Sequence, residues 1–247
     1  MIAKSERGNV NAEVPRAWRV VLESIERDLL SGVLKPGDHL PGERVLAGRL
    51  GVGRSSVREA LRVLEVLGLI RTNTGSGPQA GAIIVAIPIG GMSELMRLQV
   101  AAHGFSVADI VDTRLVLESA VVIDLARAPA EAPLGRAEEL LDSMESVLTP
   151  EEFLALDAEF HLALAEASGN QVITTMMAGL RNSVETYVRA GSTRLPDWPR
   201  TMGRLRGEHR SVLLAIRSGD ADLARSQMRD HISTYYAETQ LAPANDE

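Results

Sequence analysis

The 247-residue sequence contains no cysteine. That removes disulfides, thiolate metal sites and thiol catalysis together. It also lacks any run approaching the ~18 consecutive apolar residues of a membrane span; residues 82–89 (AIIVAIPI) are far too short. Residues 1–15 (MIAKSERGNVNAEVP) are polar and hold no continuous apolar segment, so no signal peptide is expected. The expected compartment is the cytoplasm, with no membrane partner. An excess of basic charge is missing too: the formal net charge is −7, which taken over the whole chain argues against a polyanionic partner.

The distribution of that charge points the other way. Residues 1–78 carry twelve Lys and Arg against nine Asp and Glu, whereas residues 79–247 carry fourteen against twenty-four. A mildly basic front joined to an acidic rear points to two jobs, with any polyanion contact confined to the front. A hydrophobic fraction of 45% and a mean hydropathy of +0.01 fit a soluble globular protein. The length accommodates two ordinary domains.

Along the chain, Val21, Leu22, Ile25, Leu29 and Leu30 fall at helical spacing within Arg16 to Leu30. Gly32 and Pro36-Gly37 break that helix. A short helix is expected over Glu43 to Leu50, then a tight Gly51-Val52-Gly53 connection. A second helix, about Arg54 to Leu67, carries a stripe at Val57, Leu61, Leu64 and Leu67. Two helices joined by a short Gly-containing turn are the helix-turn-helix signature. Leu69 to Thr72, the Gly-rich bend 74–78 and the β-branched run Ile83 to Val85 read as a strand-turn-strand wing. Downstream the pattern is helical throughout, with helices expected near 92–101, 106–128, 135–148, 151–168, 170–191, 198–218 and 220–240. The fold class is therefore mostly α: an N-terminal winged helix-turn-helix (16–87), a linker with a first connecting helix (88–104), and a C-terminal antiparallel bundle of six or seven helices (105–241).

Residues near the start of a recognition helix reach base edges in the major groove. Here they are Arg54-Ser55-Ser56-Val57-Arg58, with two arginines four apart on one face, suited to bidentate contact with guanine. The alternative, a solvated helix face beside Glu59, is outweighed by the placement after a tight turn and before a wing. Residues 40–71, LPGERVLAGRLGVGRSSVREALRVLEVLGLIR, resemble the DNA-binding domain of the GntR family. That family opens with Leu-Pro-Ser-Glu-Arg, turns at Gly-Val-Ser/Thr-Arg and continues with a Val-Arg-Glu-Ala-Leu recognition helix. The resemblance implies operator DNA as partner, with Arg44, Arg54, Arg58 and the wing tip around Gly75 as contacts and Ser55 and Ser56 on phosphates. Gly42 stands where the family has Ser, which keeps a tolerable helix cap but removes a hydroxyl.

The rear half holds one candidate metal constellation. Asp157 and His161 lie four apart on one helix and so share a face; His209 and His231 lie on the next-to-last and last helices. Three imidazoles and a carboxylate suit Zn²⁺ first, with Ni²⁺ or Mn²⁺ as alternatives if waters or ligand oxygens are added. The blander reading makes each a partly buried, hydrogen-bonded histidine, and His39 and His103 are left with it. Asp157-Ala-Glu-Phe-His161 with Ala167-Ser168-Gly169-Asn170, Glu208-His209 and Met228-Arg229-Asp230-His231 resemble the FCD-type ligand-binding domain of the FadR subfamily. The resemblance extends over about residues 105–238. It implies that Asp157, His161, His209 and His231 bind a divalent metal, as in the metal-dependent branch.

A metal with open positions in a helical pocket favours a small carboxylate effector, and Arg114 is the candidate to pair with the rest of it. An i,i+4 ion pair of Arg114 with Glu118 stands as the equal alternative. The function expected is a homodimeric, effector-modulated transcription regulator acting as a repressor. Two other readings remain: a helical metalloenzyme with an appended DNA-binding module, and a rear domain serving dimerisation alone. Glu159, two residues from Asp157 and from His161, is expected to point away from them and supplies no general base.

Overall fold

A computed structural model of the chain describes residues 16–73, 81–85, 91–102 and 105–239. Two compact units emerge, Met1–Gly91 and Met92–Glu247. The first contains α1 (Ala17–Leu30), α2 (Glu43–Leu50), α3 (Arg54–Val66), β1 (Ile70–Asn73) and β2 (Gly81–Ile84). Its core is formed by Val21 and Ile25 of α1, Leu46 and Ala47 of α2, Val57, Ala60 and Leu64 of α3, and Ile70, Ala82 and Ile84 of the strands. Val21, Ile25, Val57 and Leu64 of the expected stripes are buried. Leu30, in the last turn of α1, is 83% exposed, and Leu61 and Leu67 are half-buried while Ala60 takes the inward position.

The turn between α2 and α3 depends on Gly51, which closes α2 in the left-handed region at φ 65°. A side chain there would meet steric strain, so the tight helix-turn-helix angle is a glycine property. The wing strands pair antiparallel with Ile70 opposite Ile84 and Asn73 opposite Gly81. The second strand thus begins two residues before the expected Ile83, because Ala82 and Ile84 alternate inward onto the core. Gly81 makes that early start possible by adopting φ 115°. His39 forms an isolated bridge with Ile83 and is exposed, in keeping with a structural role.

The second unit contains α4 (Gly91–Ala101), α5 (Val107–Arg127), α6 (Gly135–Ser143), α7 (Pro150–Ala167), α8 (Gln171–Ser192), α9 (Trp198–Arg217) and α10 (Ala221–Glu238). Gly91, expected in the linker, is the first residue of α4; Pro88 and Gly90 lie outside the described residues, as does His103. Capping explains the starts. Ser106 and Asp109 form a capping box on α5, and Thr149 and Glu152 form another on α7, with Pro150 at its first position. Asn170 accepts from the Val172 and Ile173 amides at the head of α8, 3.2 Å each. Helix α6 ends at Ser143, short of the expected 148. Thr149, the extended cap of α7, precedes Pro150 and so is itself held out of helical geometry.

Helix α5 packs on α7, α8, α9 and α10. Phe153, Phe160, Leu134, Met144, Leu154, Leu164, Leu205, Ile216 and Met228 fill the core among them. No helix among the described residues is long and apolar enough to cross a membrane.

Candidate metal centre and nucleic-acid interface

The buried ionisable side chains among the described residues of the second unit gather in one place. They include Arg114, Glu118, Asp157, His161, His209 and His231, and these six form a single cluster. Ionisable groups are rarely buried because their desolvation must be offset by partners. The helices deliver them by ordinary periodicity: Arg114 and Glu118 share one face of α5, Asp157 and His161 one face of α7, while α9 contributes His209 and α10 His231.

One donor atom from each of Asp157, His161, His209 and His231 lies within 4.8 Å of the other three. Nε2 of His161 is 3.2 Å from Nε2 of His231. Nε2 of His209 is 3.1 Å from Asp157 Oδ1, and Nε2 of His161 is 3.9 Å from Asp157 Oδ2. The His209–Asp157 contact is close but misaligned for a hydrogen bond, so both ring nitrogens of this fully buried histidine lack a hydrogen-bond partner. Burial, with the nearby His231, lowers the His209 pKa to about 4, so at neutral pH its lone pair is free to ligate. Burial raises the Asp157 pKa, but the close polar contact with His209 and the fields of the three imidazoles outweigh it and hold the carboxyl well below its usual range. The ionised carboxylate of Asp157 and the Nε2 atoms of three histidines face one another in the core, a donor set that fits a divalent metal.

The neighbours of the four donors were less visible in the sequence. His161 Nδ1 donates to Glu118, which also accepts from Arg114 Nε at 2.6 Å; Arg114 Nη1 in turn donates to the Tyr187 hydroxyl at 2.6 Å. His231 Nδ1 donates to Glu208 Oε2 at 2.8 Å. Both readings of Arg114 keep their footing: the ion pair with Glu118 is present, and Arg114 also lines a small cavity with Asp157, Tyr187, His231 and Tyr235. Burial opposes ionisation of Glu118, yet Arg114 and His161 hold its pKa near about 2. The cavity measures about 10 Å³, room for about one water. Glu159 is engaged on the outside by Arg136 and Arg181, both at 3.2 Å.

In the first unit, Arg44 is exposed on α2, while Arg54, Ser55 and Arg58 are exposed at the start of α3 and Ser56 is half-buried. Gly75 lies outside the described residues. Both α2 and α3 are capped by glycine, Gly42 and Gly53, with no side-chain cap bond. The Val45 and Ser56 amides bond back to the Gly42 and Gly53 carbonyls, so it is the earlier amides of each first turn, free of a cap side chain, that can meet phosphate oxygens. Sequence reasoning missed Glu43. Its carboxylate receives Arg58 through Nε at 3.2 Å and Nη2 at 2.9 Å, and Arg54 approaches at 3.8 Å. The hydrogen bond from Arg58 holds the Glu43 carboxyl below its usual pKa. The Leu-Pro-Gly-Glu-Arg segment placed Glu43 beside the motif, but nothing local tied it to a residue fifteen positions away.

The model of the FCD domain matches residues 109–234, and that of bacterial regulatory proteins, gntR family, matches residues 19–78. The chain is 30% identical to the Glc operon transcriptional activator of Escherichia coli K12 over 221 residues, covering 87% of this chain and 85% of that one. It is 29% identical to the HTH-type transcriptional regulator LutR of Bacillus subtilis, covering 82% and 92%. It is 29% identical to the HTH-type transcriptional repressor NanR of Cronobacter sakazakii, covering 90% and 86%. Among solved structures, a Streptococcus agalactiae GntR protein shares the fold at a TM-score of 0.54 and 23% identity, covering 89% and 98%. These relatives are regulators rather than enzymes, which disfavours the metalloenzyme reading, as does the engagement of Glu159. With a helix-turn-helix that presents paired arginines and a rear domain built around one buried cluster, the chain belongs to the GntR family of DNA-binding transcription regulators, in its FadR-like, FCD-containing branch.

Proposed function

We propose that this regulator is a cytoplasmic homodimer and represses transcription, the mode named for NanR. Its operator binding is modulated by a small carboxylate effector at a divalent metal held by Asp157, His161, His209 and His231. Zn²⁺ suits the donor set best. The observation that carries this reading is His209: a fully buried imidazole with neither nitrogen hydrogen-bonded, 3.1 Å from an ionised carboxylate. Such an arrangement is costly without a ligand for those lone pairs. When bound, the metal supplies a Lewis-acidic position for an effector carboxylate, and Arg114 is placed beside it to pair with the remainder of that molecule. Elemental analysis of the purified protein, joined to a thermal-shift screen of small carboxylates, tests both parts. Protein that is metal-free as isolated, takes up no added Zn²⁺, and still responds fully to an effector overturns the metal site.

The cavity beside Arg114 admits about one water, so any larger effector must part the helices that line it, α5, α7, α8, α9 and α10. That displacement is the movement available to alter the spacing of two recognition helices in a dimer, and half-sites are read at fixed spacing. Linkage then requires operator DNA and effector to change each other's affinity by the same factor. Effector titrations with and without saturating operator, at one salt concentration, must therefore differ; equal affinities remove the coupling.

On the DNA side, Arg54 and Arg58 are the base readers, Arg44 and Gly75 are further DNA contacts, and Ser55 and Ser56 sit on phosphates. Arg58→Ala should weaken specific operator binding by about 1–3 kcal/mol and relax preference at one base pair. Fluorescence anisotropy with specific and scrambled duplexes reads both effects. Unchanged affinity in both Arg54→Ala and Arg58→Ala overturns α3 as the recognition helix.

A further inference from the structure

The three histidines are not supported alike. Their Nε2 atoms converge on one another and on Asp157, so the opposite ring nitrogens decide how firmly each ring is held. His161 rests on Glu118, which is held by Arg114, itself held by Tyr187; every member of that chain is buried. His209 rests on nothing through Nδ1. His231 rests on Glu208 at 2.8 Å, Glu208 accepts from Arg204 Nη1 at 2.5 Å, and Arg204 Nη2 donates to Glu238 at 2.5 Å. This second chain runs outward. The side chains of Glu208, Arg204 and Glu238 are 23%, 28% and 40% exposed.

Building on the metal reading above, we propose that Glu208, steadied by Arg204, is a positioning residue for the metal. It fixes the His231 proton on Nδ1, so that Nε2 presents its lone pair, and it makes His231 the ligand adjustable from the protein surface. A carboxylate on the far nitrogen of a ligating histidine sets its tautomer and orientation and raises its basicity. Glu118 does the same for His161, but from inside the core, where no solvent event reaches it. The outer relay ends on Glu238 in the last turn of α10, the helix that carries His231. Arg204 thereby ties α9 to α10 at two points: at His231 through Glu208, and at Glu238 in the last turn directly. Disturbing Arg204 or Glu238 should loosen His231 while leaving His161 and Asp157 in place.

The test is a Zn²⁺ titration of full-length protein, stripped by dialysis against a chelator, in competition with a chromophoric chelator. Parent, Glu208→Gln, Glu208→Ala and Arg204→Gln are compared, with melting temperature in the metal-free state and operator binding as fold controls. Glu208→Ala should lower Zn²⁺ affinity about 10–100-fold. Glu208→Gln, which keeps an acceptor, should lower it less, and Arg204→Gln should fall between Gln and parent. Metal-free melting temperatures should stay close to that of the parent, since these groups are partly solvated. A second readout needs no metal: ¹⁵N chemical shifts of the imidazoles should report the Nδ1–H form for His231 in the parent and mixed forms in Glu208→Ala. Variants that bind Zn²⁺ as tightly as the parent overturn the relay and leave the metal site standing. Variants whose metal-free fold collapses in step with affinity overturn it in favour of a structural ion pair. A parent that binds no Zn²⁺ overturns the metal site, and the relay with it.

Discussion

Removal of the metal should lower the melting temperature of the second unit by about 8–16 °C. A ligand that binds only the native state adds about 4 kcal/mol when its free concentration is 1,000 times its Kd. In a unit of this size each kcal/mol is worth roughly 2–4 °C. Calorimetry with excess EDTA against micromolar free Zn²⁺ reads the difference directly. Asp157→Asn should cancel most of it, and its failure mode distinguishes a ligand from an ordinary core residue. In the parent without metal, Asp157 is a buried carboxylate whose nearest imidazole, His209, is misaligned for a hydrogen bond. At neutral pH His209 is uncharged and gives the buried carboxylate no ion pair, so the metal-free variant should melt close to the metal-free parent. Functional groups often sit where they do not serve stability. A variant less stable by the same amount with and without Zn²⁺ overturns the ligand role, as does a parent whose melting ignores chelator.

The parts of this molecule legible in its sequence are those set by local chemistry. Helical spacing at Val21 and Ile25 and at Val57 and Leu64, the glycine at the turn, and the β-branched residues Ile83 and Ile84 are short-range signals, and the first unit follows them. The four donors were legible for a related reason, since an i,i+4 pair must share a helix face and two more histidines on later helices of a bundle can converge with it. What stayed hidden is set by tertiary packing. Glu43 meets Arg58 across a turn, Tyr187 meets Arg114 from 73 residues away, and Glu208 meets His231 from 23. Even the Thr149–Glu152 capping box, readable in principle, fixes a helix start and says nothing of what that helix packs against. The Arg114–Glu118 spacing was visible but ambiguous, because the same four-residue interval serves an ion pair and a ligand clamp.

Arg114 is where that ambiguity carries the largest energetic consequence. Its guanidinium is buried, bonded to Glu118 and to Tyr187. Removing one partner of a buried pair costs about 3–5 kcal/mol, because the other charge is left without compensation. Arg114→Ala should therefore destabilise the second unit by that amount, read as a fall of roughly 6–20 °C in melting temperature. Replacing the whole pair by apolar residues of similar volume is often close to neutral, but here it also unpairs His161 Nδ1 and the Tyr187 hydroxyl, so Arg114→Met with Glu118→Leu should recover only part of the loss. The recovered protein should still be defective, since His161 would have no acceptor on Nδ1 and Zn²⁺ affinity should fall about 10–100-fold. Arg114→Lys separates the effector role from the ion pair. Lysine keeps the charge facing Glu118 but cannot reproduce the planar fork. If Arg114 clamps the effector, this variant should bind Zn²⁺ and operator as the parent does while losing its thermal shift with small carboxylates. A full shift in Arg114→Lys assigns Arg114 to the ion pair alone, and an Arg114→Ala protein that melts within a degree of the parent overturns the ion pair as a structural element.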